Sequence, residues 1–154
     1  MRKNHNGFTL VELVVVIAII GVLAALLVPA MLNYVNKSKQ QSCNADARLI
    51  FNNLAAYASE LAIKGNTTEL TDGLYSYGYT LPGTSVSTTL NQKIDEGTDN
   101  TMQNSVILVK FTNGKFPRVI VARGEADSYF EAYPNPLHGK TGSYMDDAIT
   151  YINS

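Results

Sequence analysis

The sequence predicts an α+β protein in which one long N-terminal helix, about residues 8–64, packs on a small antiparallel β-sheet. Three observations carry that expectation. An unbroken apolar run extends from Leu13 to Val28. Beyond it, Cys43, Ala47, Ile50, Leu54, Tyr57 and Leu61 recur at spacings of four, three, four, three and four, which is one face of a helix. Further on, two strand-like runs flank Asn113-Gly114, the strongest short-range hairpin signal.

The helix divides into two functional halves. Phe8 to Leu32 is 25 residues, about 37 Å as helix, enough to cross roughly 30 Å of hydrocarbon. Residues 33–42 are then polar and suit solvent. The periodic face at 43–61 suits a packed core. Gly65 followed by Asn66 is a C-terminal stop, and Lys64 is favourable in the last turn. Pro29 removes one backbone hydrogen bond inside the helix, and Gly21 lowers local helix propensity. Cys43 falls on the apolar face and is expected to be a packing thiol.

Residues 65–154 form the head, too small to build an independent core without the helix face before it. Residues 65–104 are rich in Thr, Gly, Asn and Ser and are expected to be a loop region. Residues 105–133 are expected to form the sheet, with strands at 105–111 and 116–123 and a third near 128–133. Pro117 is tolerable near a strand start or on an edge. In the tail, 134–154, Ser143 and Asp146 hint at a helix start, giving a short helix over 144–152.

Composition narrows the function classes. The formal charge is −1, and Lys and Arg are scattered without a basic stripe, which argues against nucleic acid. A single cysteine excludes an intramolecular disulfide. There is no Gly-x-Ser-x-Gly, no phosphate-cradling glycine loop, no His-Glu-x-x-His and no Cys–His pair, so no enzyme and no cofactor is expected. Tyr75, Tyr77 and Tyr79 alternate and share one face if extended. They are a candidate ligand surface for a carbohydrate or a partner, against the plainer reading that they pack on the long helix or against the next subunit. Asp95, Glu96, Asp99 and Asn100 cluster around Gly97 without calcium-loop spacing and are expected to be a solvated acidic loop. His138 stands in a loop with no neighbouring ligand residue, so no metal site is expected.

Glu12 is the exception in the apolar segment. A carboxylate at membrane depth is costly and calls for a named partner. A secretory signal peptide fits poorly, because the apolar run is longer than a usual h-region. A short basic leader (Arg2, Lys3) ending in Gly7, then Phe8-Thr9-Leu10-Val11-Glu12, the apolar run, Gly21 and Pro29 together resemble a type IV prepilin N-terminus. Type IV pilins, type II secretion pseudopilins and competence pilins share it. The resemblance is strong over the first quarter of the chain and covers the rest only in general layout.

The resemblance implies a pilin fold and a specific life history. Residues 1–7 would be a leader removed by a prepilin peptidase between Gly7 and Phe8, with N-methylation of Phe8. Residues 8–32 would be the transmembrane segment and later the filament core, and 33–64 the soluble half of the helix. Glu12 would pair with the Phe8 amine of a neighbouring subunit. The segment Gly21–Pro29 would supply helix flexibility in the filament. The basic leader would stay cytoplasmic and leave the head outside. Partners would be other copies of the chain, the peptidase, the membrane, and an assembly platform with its ATPase. The role would be a structural subunit of a surface filament for adhesion, motility or DNA uptake. The alternatives are a pseudopilin of a type II secretion-like or competence system, and a polysaccharide-binding adhesin using the tyrosine row. Many Gram-negative pilins carry a C-terminal cysteine pair, and its absence here points toward a Gram-positive pilin or a pseudopilin-like branch.

Overall fold

A computed structural model describes residues 8–66, 69–77, 81–103, 105–123, 130–135 and 144–154. The elements in chain order are α1 (Leu10–Lys64), β1 (Gly73–Tyr77), α2 (Thr88–Thr98), β2 (Ser105–Thr112), β3 (Lys115–Arg123), β4 (Phe130–Tyr133) and α3 (Tyr144–Asn153). Two units divide the chain, with the boundary between Ser38 and Lys39 inside α1.

In the first unit, α1 begins at Leu10 rather than at Phe8 because Thr9 caps it. It runs through Gly21 and Pro29 without a break in the helical assignment. Its apolar side chains from Leu10 to Leu32 are exposed. This is a helix long and apolar enough to cross a membrane.

In the second unit, α1 buries Cys43, Ala47, Ile50, Leu54, Tyr57 and Leu61, the face expected from periodicity, with Ala58 added. The helix stops at Gly65, whose φ of 66° is the left-handed conformation that glycine adopts freely. The Asn66 N–H then reaches back to the Leu61 carbonyl at 3.1 Å, a Schellman closure.

Among the described residues four strands form one antiparallel sheet in the order β1-β2-β3-β4. The β2–β3 turn is the expected Asn113-Gly114, with φ of 51° and 75°, the positive pair that a two-residue type I′ turn requires. Asp72 accepts the Asn113 N–H at 2.9 Å and pins the tip of that hairpin. Register places Tyr77 opposite Ile107, Tyr75 opposite Val109, and Val109 opposite Val119. These side chains share the sheet's inner face and pack with the α1 face in one core. Asn44 on α1 donates to the Ala132 carbonyl of β4 at 3.2 Å, tying the far side of the sheet to the helix. The free side of β1 is occupied by Ser85, which exchanges hydrogen bonds with Ser76 and Leu74.

One expectation is corrected here. Residues 65–104 are not simply a loop region. They hold β1 and α2. Helix α2 has only Leu90 and Ile94 as buried apolar anchors, joined by Thr98, so its helical period is short and hard to see. Its start is fixed by Ser87, whose hydroxyl accepts the Leu90 N–H at 3.2 Å. The expected third strand is seen over its described part, Phe130–Tyr133, and the terminal helix over Tyr144–Asn153.

The outer face of the sheet has its own apolar layer. Val106, Leu108, Ile120, Ala122, Phe130 and Ala132 pack there with Ala148 and Ile152 of α3.

Candidate assembly site

The first turn of α1 is built by two residues. The Glu12 carboxylate accepts the Thr9 backbone N–H and the Thr9 hydroxyl, both at 2.8 Å. The Thr9 hydroxyl oxygen in turn lies 3.3 Å from the Glu12 backbone N–H. This is a capping box: Thr9 closes one orphan N–H of the helix start and Glu12 closes another. The negative charge also sits at the positive end of the helix dipole. Phe8 precedes the cap and is 86% exposed. Glu12 is therefore held at the helix start next to the chain position that a cut before Phe8 would turn into an amine. Gly7 lies outside the described residues.

The apolar surface downstream is continuous along α1. Val11, Leu13, Val15, Ile17, Ile20, Leu23, Leu26 and Leu27 are all more than half exposed. A water-soluble monomer does not leave such a surface bare. Lipid or other apolar helices are the environments that suit it.

The tyrosine row is not a ligand surface at Tyr75 and Tyr77, a second correction. Both are only 6% exposed. The strand register turns them inward, opposite Val109 and Ile107. The Tyr75 hydroxyl donates to the Thr71 carbonyl at 2.7 Å. The Tyr77 hydroxyl donates to Asp95 at 2.5 Å, joining β1 to α2. Burial, then the bond to Asp95, pushes the Tyr77 phenol up to about 12. Tyr57 on α1 behaves alike: burial, then its 2.7 Å bond to Glu69, raises it to about 12. Tyr79 lies outside the described residues.

The acidic cluster is also rearranged. Asp95 and Glu96 are helical residues of α2, and Asp99 is its C-cap in the left-handed conformation. Lys93 bonds Glu96 at 2.9 Å, which raises the lysine and lowers the carboxylate. Both partners are exposed enough for solvent to screen the pair. Gly97 lies where α2 approaches α1: a Cβ there would stand 1.9 Å from Asn53 Nδ2 and 2.5 Å from Asn53 Cγ. Among the described residues no group of three His, Cys, Asp or Glu side chains is arranged to hold a metal. Cys43 is buried, as expected of a packing thiol. His138 lies outside the described residues.

Sequence comparison agrees with this geometry at the N-terminus. The family model of the prokaryotic N-terminal methylation motif matches residues 2–28. The chain is 36% identical over 59 residues to the type IV major pilin protein PilA of Myxococcus xanthus (strain DK1622), covering 38% of this chain and 27% of that protein. It is 39% identical over 56 residues to the type II secretion system core protein G of Aeromonas hydrophila, covering 36% and 39%. It is 61% identical over 35 residues to a type IV major alpha-pilin of Moraxella bovis, covering 23% and 22%. The matched part thus spans between a fifth and two fifths of these curated relatives. No solved structure matches the chain.

Proposed function

We propose that this chain, which is similar to type IV pilins and to a type II secretion core protein over its N-terminal part, is a pilin-type structural subunit of a surface pilus. It is inserted in the cytoplasmic membrane through residues 8–32 with the head outside. A prepilin peptidase cuts after Gly7 and the new Phe8 amine is methylated. An assembly platform and its ATPase then feed subunits into a filament that serves adhesion, motility or DNA uptake.

The observation that carries this reading is the bare apolar half of α1 with one carboxylate fixed at its first turn. In a bundle of such helices the apolar surfaces bury one another. The Glu12 carboxylate then meets the Phe8 amine of a neighbouring copy. In a low-dielectric bundle an unpaired carboxylate is strongly unfavourable, so only the register that pairs it is populated. The charge pair sets registry and the apolar surface supplies the driving force.

A second reading keeps the same chemistry and changes the destination. The match to the type II secretion core protein covers a larger share of that protein than the pilin matches cover of theirs. In that reading the polymer is a short pseudopilus that stays in the envelope.

The test is Glu12→Ala, followed by quantitative immunoblotting of sheared surface material and of membranes. The expected result is normal protein in the membrane and a large loss from the sheared fraction. Undiminished sheared material from this variant would remove the charge-pair account.

A further inference from the structure

The C-terminal helix is attached differently from the rest of the head. Helix α3 is ten residues long, below the length at which an isolated helix holds in water, so it is helical only while docked. Of the nine buried residues described in the sheet's outer layer, α3 supplies two, Ala148 and Ile152, and its Ile149 and Tyr151 pack partly buried against that layer. Among the described residues, the inner layer between α1, α2 and the sheet contains none from α3. Removing α3 would uncover the outer apolar face of β2, β3 and β4, while the described inner layer between α1, α2 and the sheet would keep its members.

Arg118 of β3 fastens the last turn of α3. Its guanidinium donates to the Tyr151 carbonyl and lies 3.5 Å from the Ser154 hydroxyl. It also stacks over the Tyr151 ring, 4.5 Å from the centroid. A fixed cation at the C-terminal carbonyls satisfies an orphan acceptor and complements the helix dipole. The Tyr151 hydroxyl reaches the Asn135 carbonyl at 3.0 Å on the far side. With one cysteine in the chain, no internal disulfide ties this end down.

We infer that α3 is a displaceable strap, latched by Arg118, that opens from the outer face of the sheet as a unit while the α1–sheet core stays folded. On this reading the segment belongs to the low-stability end of the structure, and its described apolar anchors together with the Arg118 latch set the opening free energy.

The test is hydrogen–deuterium exchange read by mass spectrometry on the full chain in detergent micelles. Peptides from 144–154 are compared with peptides from 105–123. The strap requires α3 amides to exchange faster than the β2 and β3 amides. Arg118→Ala should speed α3 exchange about tenfold, the loss of one charge-assisted bond, and leave β2 and β3 unchanged. Exchange of α3 and the sheet at one common rate would overturn the inference. So would an Arg118→Ala chain in which the sheet loses protection along with α3. Tyr151→Phe is the milder probe, since it keeps the ring over the guanidinium and removes only the bond to Asn135. Faster α3 exchange in that variant supports the strap, and unchanged α3 exchange counts against it.

Discussion

The Glu12 carboxylate and Thr9 hold each other across the first turn of α1, with both the backbone N–H and the hydroxyl of Thr9 donating to it at 2.8 Å. A charge that reads from sequence as a partner for another molecule is thus already engaged within its own chain. The two roles are compatible. A carboxylate has about four lone-pair sites, and the capping box fixes where the remaining ones point.

Thr9→Val follows from this. The variant keeps the backbone N–H donor and loses the hydroxyl, so one of the two bonds to Glu12 remains. Losing the cap should weaken the helix start by about 1 kcal/mol. Sheared surface yield should fall below wild type and stay above that of Glu12→Ala. A yield equal to wild type would mean that the position of the carboxylate does not depend on the hydroxyl.

Gly97→Ala tests the seat of α2 on α1. Alanine is the better helix former by up to about 1 kcal/mol, yet its Cβ would meet the Asn53 amide at 1.9 Å. Overpacking of this kind costs about 1–3 kcal/mol, so the variant should melt lower than wild type in thermal denaturation. Asn53→Ala in the same chain removes the obstacle and should recover most of the loss. Additive effects of the two substitutions would show that this contact is not the cause.

Alkaline pH should weaken the head. The phenols of Tyr57 and Tyr77 are raised to about 12 in the folded state, against about 10 in an unfolded chain. A group whose folded value is raised contributes its full stability below the unfolded value and loses it as pH climbs to the folded one. Stability should therefore be level up to about pH 10 and decline between about 10 and 12. Ultraviolet titration should show Tyr57 and Tyr77 ionising late, and Tyr77→Phe should remove one late-ionising phenol. Ionisation of all nine tyrosines in a single step near 10 would contradict the buried tyrosine–carboxylate pairs.

What the sequence discloses depends on whether the signal is local. The α1 face at 43–61 shows because each buried residue falls on a 3.6-residue period. The β2–β3 hairpin shows because Asn113-Gly114 alone accepts the positive φ pair at little cost. The capping box is also written in the chain, as Thr9-x-x-Glu12, and is missed when Glu12 is considered only as half of an ion pair. By contrast, β1 and α2 depend on tertiary partners. Tyr75 and Tyr77 look like an exposed row until pairing with Val109 and Ile107 turns them inward. Gly97 looks like a loop residue until Asn53 is found lying against it. Nothing nearby in sequence reveals that Arg118 serves α3, because its partner Tyr151 is more than thirty residues away.

The most direct test is mass spectrometry of the N-terminal peptide from material sheared off the cell surface. The account predicts a chain that starts at Phe8 and carries a methyl group on its amine. A chain starting at Met1 in every fraction, or a processed form confined to the membrane and absent from the sheared material, would contradict a processed subunit of an extracellular filament.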